Sequence, residues 1–275
     1  MAGTLYVVAT PIGHLGDLTS RAAEVLRQVA IVAAEDTRET RKLVAHVGSQ
    51  ARLVSWHAHS SEAQTEKLLA ALADGQDVAL VTDAGTPGVS DPGPLMVAAA
   101  RAAGPRIIPL PGPSAVATAL MVSGLPGDRY IFLGFPPRKG GDRTEWLERI
   151  RDADCTIVCF EAPGRVLALL GALAATIGPE RYAMVGREMT KRFEEYRHGT
   201  IDQLLGWAAA QDIRGEVTLV IEGGSGERPP PDKAQVATLV RTLMEAGMER
   251  SRVARVVTEV FGVPRNESYK LAMEE

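Results

Sequence analysis

The sequence is short of several things, and each scarcity excludes a class of protein. It has two cysteines in 275 residues, Cys155 and Cys159. A secreted chain of this size would need more disulfides than that pair supplies, so a reducing compartment fits. Aromatic residues make up only 5%, too few for a broad platform on which bases stack. Cations are not in excess: 30 Lys+Arg face 34 Asp+Glu, a net charge of −4. That argues against a wholesale nucleic-acid coat, although a local basic patch needs no net excess. No apolar run reaches the roughly 18–20 residues of a bilayer span, and the start MAGTLYVVATPIGHLGDL lacks a basic leader region. The expectation is a cytoplasmic protein with no membrane attachment. The dinucleotide fingerprint G-x-G-x-x-G, the P-loop and the G-x-S-x-G elbow are all missing.

What is present is ordinary globular material, with 45% hydrophobic and 23% charged residues, a mix that excludes overall disorder. Short β-branched runs alternate with longer Ala/Leu-rich amphipathic ones. The pattern predicts strands at 4–9, 30–34, 51–55, 77–82 and 106–110, with helices near 17–29, 37–46, 61–73, 94–103 and 113–123 between and after them. Continuous apolar strands spaced by helices predict a mostly parallel sheet covered on both faces. A turn-rich break, SGLPGDR (123–129), follows. The pattern then restarts with strands at 130–135, 155–160, 181–187, 193–198 and 216–222, and helices at 142–152, 164–176 and 201–210. Its adjacent strands near the end predict a mixed, partly antiparallel sheet. The segment GGSGERPPPDK (223–233) reads as a linker. Three short helices, 234–246, 250–260 and 264–273, close the chain, with stops at Gly247 and Gly262 and Ser251 close to an N-cap. The fold class is α/β: an N-terminal α/β domain (1–123), a second α/β domain (124–224) and a small helical tail (232–275). The tail reads either as a nucleic-acid module or as a helical cap or dimerisation element.

Chemistry should gather in three Gly/Pro loops, each at the end of a strand: ATPIGHLGDLTSRA (9–23), TDAGTPGVSDPG (82–93) and PLPGPSAVATAL (109–120). Glycine and proline there permit sharp turns and close approach of backbone to a ligand. Open α/β sheets place ligands at the carboxyl ends of their strands, so three such loops predict one crevice. None of their Gly/Pro turns carries a lysine, which disfavours a polyphosphate. Metal binding is not expected: His57 and His59 of WHAH have no partner set nearby in sequence. Cys155 and Cys159 sit on a predicted strand and read as core. Charged clusters remain at AEDTRETRK, GFPPRKGGDR, FEAPGR and REMTKRFEEYRHG.

These segments together, with the terminal RNESYKLA, closely resemble the tetrapyrrole methylase superfamily. AEDTR, DAGTPG and GFPPRK are specific to its branch that methylates ribosomal RNA. The resemblance implies two α/β domains of the class III methyltransferase type, with S-adenosylmethionine (SAM) in the cleft. It implies 2′-O-methylation of a cytidine ribose in the decoding region of 16S rRNA, in the 30S subunit, by a homodimer. Carried onto this chain, the cofactor residues are Pro11, then Asp83, Ala84, Gly85, Thr86 and Pro87, then Ser114 and Ala115, with Phe160 and Met184 from the second domain. Two positions depart from the branch pattern: His14 stands where Asn is usual, and Gly164 where His is common.

A ribose hydroxyl needs a proton acceptor and a cation near the developing alkoxide. Glu35, Asp36, Arg38, Glu161, Glu188 and Lys191 are the candidates. Asp36 or Glu188 is favoured for the proton, and Arg38 or Lys191 for the charge. Arg138, Lys139, Arg143, Arg165 and Arg192 are expected to contact RNA phosphates. Two rival readings stay open. One is methylation of a tetrapyrrole precursor or a protein acceptor by the same scaffold. The other is a non-catalytic nucleic-acid-binding protein built on it.

Overall fold

The computed structural model describes residues 2–58, 60–224, 233–261 and 263–274. They fall into two compact units, Met1–Arg151 with Cys155–Gly223, and Asp152–Asp154 with Gly224–Glu275. The larger unit carries two five-stranded sheets. The first is built from β1 (Thr4–Val8), α1 (Ser20–Gln28), β2 (Ile31–Ala34), α2 (Thr37–Val47), β3 (Arg52–Ser55), α3 (Glu62–Ala73), β4 (Val78–Val81), α4 (Gly93–Ala103), β5 (Arg106–Leu110) and α5 (Ala115–Ser123). Its order is β3-β2-β4-β1-β5 and every pairing is parallel. All four residues of β2 and of β4 are buried, which is why IVAA and VALV are unbroken apolar runs. On one face Leu5, Ile31 and Val78 pack with Leu68, Leu72 and Met96 of α3 and α4. On the other, Val8, Val32 and Val81 pack with Ala22 and Leu26 of α1 and Leu43 of α2.

The second sheet contains β6 (Tyr130–Phe132), α6 (Gly141–Asp152), β7 (Thr156–Glu161), α7 (Val166–Ile177), β8 (Tyr182–Arg187), β9 (Glu195–Thr200), α8 (Ile201–Ala209) and β10 (Val217–Ile221). Its order is β6-β7-β10-β8-β9; only β6–β7 is parallel. β6 is shorter than the expected 130–135, because Gly134 turns the chain at φ 59°. β9 lies two residues later than expected, after the tight turn at 188–194. A third cluster, Ile12, Val116, Ala119, Val158, Met184, Met189 and Val220, draws on the loop after β1, on α5 and on the second sheet. It fixes the loop after β1, α5 and the centre of the second sheet as one body.

The smaller unit holds α9 (Lys233–Glu245), α10 (Arg250–Phe261) and α11 (Arg265–Glu274) around Val236, Val240, Val253, Val257 and Val263. The buried Ser268 hydroxyl donates to the Val263 carbonyl at 3.2 Å and receives the Thr258 hydroxyl at 3.1 Å. Ser251 lies inside α10 and does not cap it. The linker expected at 223–233 falls mostly on residues 225–232, and these lie outside the described residues, as do His59 and Gly262.

Candidate active site

Parallel register brings Val8 of β1 level with Val81 of β4 and Leu110 of β5. The three Gly/Pro loops therefore leave the sheet at one level. Hydrogen bonds then tie them to one another. Thr10 and Gly85 exchange amide-to-carbonyl bonds of 2.8 and 3.1 Å, and the Thr86 hydroxyl donates to the Pro113 carbonyl at 2.9 Å. Asp91 gathers the amides of Gly88 at 2.8 Å and Gly93 at 2.6 Å, folding the 82–93 loop on itself.

Two clefts open on this rim. The first, about 310 Å³, is lined by the 82–91 and 114–115 loops, by Phe135, and by Phe160–Pro163 and Glu216–Thr218 across from them. The second, about 370 Å³, lies between Thr10–Leu15, α2 and Lys191. Ile12, Thr82, Asp83, Ala84 and Glu216 line both and form the shared wall. Each volume is that of an ordinary small-molecule site.

A tight clamp from the second sheet borders this wall. A Cβ on Gly13 would stand 2.4 Å from Cγ of Lys191 and 3.2 Å from the Met189 carbonyl oxygen, so only glycine permits the approach. The His14 amide donates to the Thr190 hydroxyl at 3.1 Å. Glu188 and Thr190 both have positive φ, 50° and 65°, the kind of backbone cost that gathers at functional sites. The Glu188 carboxylate accepts from the Glu216 amide and from Lys191 Nζ, each at 3.0 Å, and Lys191 Nζ also reaches Glu216 at 3.2 Å.

The electrostatics separate the two clefts. The first is lined by Glu35, Asp83, Asp91, Glu161 and Glu216 and, among the described residues, by no Lys, Arg or His. Several of these carboxylates are already engaged: Asp91 as above, Glu161 with Arg165 at 2.6 Å, and Asp83 with the Asp36 amide at 2.8 Å. Burial, then the charges of Asp83 and Asp91, push the Glu35 carboxyl above its ordinary value. At Glu188 burial opposes ionisation, but the Glu216 amide and Lys191 outweigh it and hold the carboxyl below its ordinary value. Burial likewise opposes the charge on Lys191, and Glu188 and Glu216 outweigh it, so that ammonium is held more firmly than usual.

Of the expected cofactor residues, Asp83, Ala84, Gly85, Thr86, Ser114, Ala115 and Phe160 line the first cleft, and Pro11 lines the second. Pro87 lines instead a small hollow beside Glu35 and Trp56. Met184 is fully buried in the cluster that packs α5 and the loop after β1 on the second sheet, and lines neither cleft, because its side of β8 faces α5. Among the expected catalytic residues, Asp36 and Arg38 line neither cleft. Asp36 caps α2, accepting from the Arg38 amide at 2.8 Å, and grips the Arg38 guanidinium at 2.6 Å. Those Arg38 bonds hold its carboxyl down, to about 2, the opposite of what a proton acceptor needs. Glu188 supports the clamp and does not line either cleft; Lys191 lines the second. Arg138, Lys139 and Arg192 are exposed, Arg192 stacking over the exposed Phe193 ring at 5.5 Å. Arg143 is partly buried and donates to the Pro137 carbonyl at 3.1 Å, and Arg165 is tied to Glu161, so both are first of all structural.

Met189, Glu216, Val217 and Thr218 line the first cleft without having stood out in the sequence. Only their place at strand ends could have flagged them. His14 keeps the loop hydrogen bond that an Asn would make: its Nδ1 accepts from the Gly16 amide at 3.0 Å. Gly164 has open space where a Cβ would stand, so the missing side chain leaves no packing defect. Cys159 is a buried core thiol, pushed up by burial. Among the described residues no group of three His, Cys, Asp or Glu is placed to hold a metal ion, and no helix is long and apolar enough to cross a membrane.

Residues 4–205 match the family of Tetrapyrrole (Corrin/Porphyrin) Methylases. A Micromonospora olivasterospora protein named ribosomal RNA small subunit methyltransferase I is 45% identical, the match covering 99% of this chain and 88% of that protein. One of the same name from Synechocystis sp. is 42% identical over 99% of this chain and 98% of its own. Among solved structures, a Thermus thermophilus uroporphyrin-III C-methyltransferase complexed with S-adenosyl homocysteine superposes with a TM-score of 0.56 at 18% identity, covering 80% of this chain and 97% of that one.

Proposed function

Since this chain belongs to the tetrapyrrole methylases, among the ribosomal RNA small subunit methyltransferase I proteins, we propose that it methylates the 2′-hydroxyl of a cytidine in 16S rRNA. The methyl donor is S-adenosylmethionine. The observation that carries its placement is the charge of the first cleft: five carboxylates line it and, among the described residues, no basic side chain does. SAM carries a sulfonium, an ammonium and one carboxylate, a net cation, and a polyphosphate would be repelled there. Ile12, Val89, Ala115, Phe160 and Met189 give the same cleft apolar surface for the adenosine end. The 83–86 loop and Ser114 supply polar groups. Bound there, SAM supplies an electrophilic methyl group.

The chain's own residues do the rest. Orienting the reactants can itself be worth about 7–11 kcal/mol in favourable systems. The loops, cross-tied before any ligand arrives, are suited to that task. Asp83 is one of two carboxylates on the shared wall; one of its oxygens is held by the Asp36 amide, whereas the other carboxylate, Glu216, is paired with Lys191 at 3.2 Å. We assign Asp83 the hydroxyl proton, in place of Asp36 and Glu188. Lys191, held cationic by Glu188 and Glu216, offsets the developing negative charge from the second cleft.

Glu35 tunes donor binding. As pH falls through its raised value the carboxylate is neutralised, so affinity for the cationic donor is expected to fall over that interval. Glu35→Gln should be weaker throughout and lack that step, which calorimetry across a pH series would read. The exposed Arg138 and Lys139 belong at the RNA phosphates. Neutralising both should weaken RNA binding and reduce its log–log salt slope by about one for each phosphate no longer neutralised. An unchanged slope would place them elsewhere.

The remaining assignments are that the substrate is the 30S particle, met in the cytoplasm by a homodimer. Leu95, Met121 and Val122, exposed on α4 and α5, supply apolar surface for self-association, and Arg250, Arg252, Arg255 and Arg265 of the helical unit supply exposed cations. The deciding experiment is methyl transfer from labelled SAM to unmodified 30S subunits and to naked 16S rRNA, with the product nucleoside mapped. 2′-O-methylcytidine is expected. Transfer to neither would reject the RNA acceptor.

A further inference from the structure

The Thr40 hydroxyl is one of the few buried side-chain polar atoms with no hydrogen-bond partner among the described residues. Thr40 is 4% exposed and lines the second cleft. The absence of a partner is unforced. Thr176, Thr242 and Thr258 each donate to the carbonyl four residues back in their helices, at 2.8–2.9 Å. The equivalent carbonyl for Thr40 is that of Asp36, which receives its amide at 3.1 Å and not its hydroxyl. The fold thus bears a desolvated hydroxyl that a small rotation or a valine would remove.

The rest of the cleft describes what that hydroxyl awaits. Both of its lysines are paired, Lys42 with Glu39 at 2.7 Å and Lys191 with Glu216 at 3.2 Å, which leaves Asp83 of the shared wall as the one further charge among its lining residues. Paired charges offer donors and acceptors without a strong net field, which suits an uncharged, many-hydroxyl ligand better than a phosphate. The shared wall sets such a ligand against the methyl-donor cleft. We infer that the second cleft seats the acceptor nucleoside, and that the Thr40 hydroxyl completes its hydrogen bonding by holding a polar atom of that nucleoside. This rests on the RNA-methylating reading above.

The test compares Thr40→Val and Thr40→Ser with the unaltered enzyme. Melting temperature, calorimetric Kd for SAM, and kcat/KM on 30S subunits or 16S rRNA are read for each. Valine keeps the shape and removes the unsatisfied group, so its melting temperature should hold or rise. Its SAM affinity should stay within about twofold while kcat/KM for RNA falls about tenfold, the worth of one ligand hydrogen bond. Serine should restore most of the loss. A valine variant as active on RNA as the parent overturns the assignment, and so does one that loses SAM affinity in proportion. If the parent enzyme itself transfers no methyl to RNA, the RNA reading fails and this assignment with it.

Discussion

Asp83→Asn is expected to slow single-turnover methyl transfer by about 10²–10⁴-fold at saturating SAM, the usual worth of a general base. The substitution is chosen to leave the architecture alone. Asparagine keeps an oxygen to accept the Asp36 amide, the bond that ties the start of α2 to the 82–93 loop. Melting temperature should therefore change little. SAM affinity should weaken modestly, because one of five carboxylates around a cationic ligand is lost. A large rate loss beside a small affinity loss identifies the proton acceptor. Equal losses in both would make Asp83 a binding residue. A near-normal rate would pass the role to one of two other cleft carboxylates, Glu35 or Glu216, the latter paired with Lys191.

Lys191→Met should reduce the same rate by about 10²–10³-fold, as losing one charge-stabilising group does elsewhere. It should also change the pH dependence of stability, in both directions. Glu188 has a lowered carboxyl in the folded state, so its stabilising contribution is present above the unfolded value and disappears as pH falls through the folded one. Lys191 has a raised ammonium, so its contribution is present below its unfolded value and is lost as pH rises through the folded one. The parent protein should lose stability from this pair at both extremes. The methionine variant should be less stable at neutral pH and flatter toward acid and alkali. Urea midpoints across pH would show it. Retained activity with the flattened profile would confine Lys191 to the clamp.

The architecture was largely legible from the sequence because its signals were local. VALV (78–81) is apolar at every position because both faces of β4 are covered. The DAGTPG loop announced itself by glycine and proline after such a strand. The resemblance supplied which loops would converge. What sequence could not give was the direction of side chains. Asp36 and Asp83 are both acidic residues in recognisable motifs. Only the fold reveals that Asp36 is a helix cap locked to Arg38 while Asp83 lies on the wall between two clefts. Met184 failed for the same reason, since alternation along β8 decides which residues face α5. Thr40 carries no sequence signal at all. Its interest lies in a bond it does not make.

The strand order of the second sheet has a consequence in time. β10, the last strand of the larger unit, lies between β7 and β8. Without residues 217–221 the sheet divides into two separate pairs, β6–β7 and β8–β9, whereas the first sheet needs no strand beyond residue 110. The same final strand brings Glu216, Val217 and Thr218 to the donor cleft. Before that strand is in place, the first cleft lacks one of its walls. The cleft is completed only when a single late strand takes its place in the middle of a sheet whose other strands all precede it in the chain.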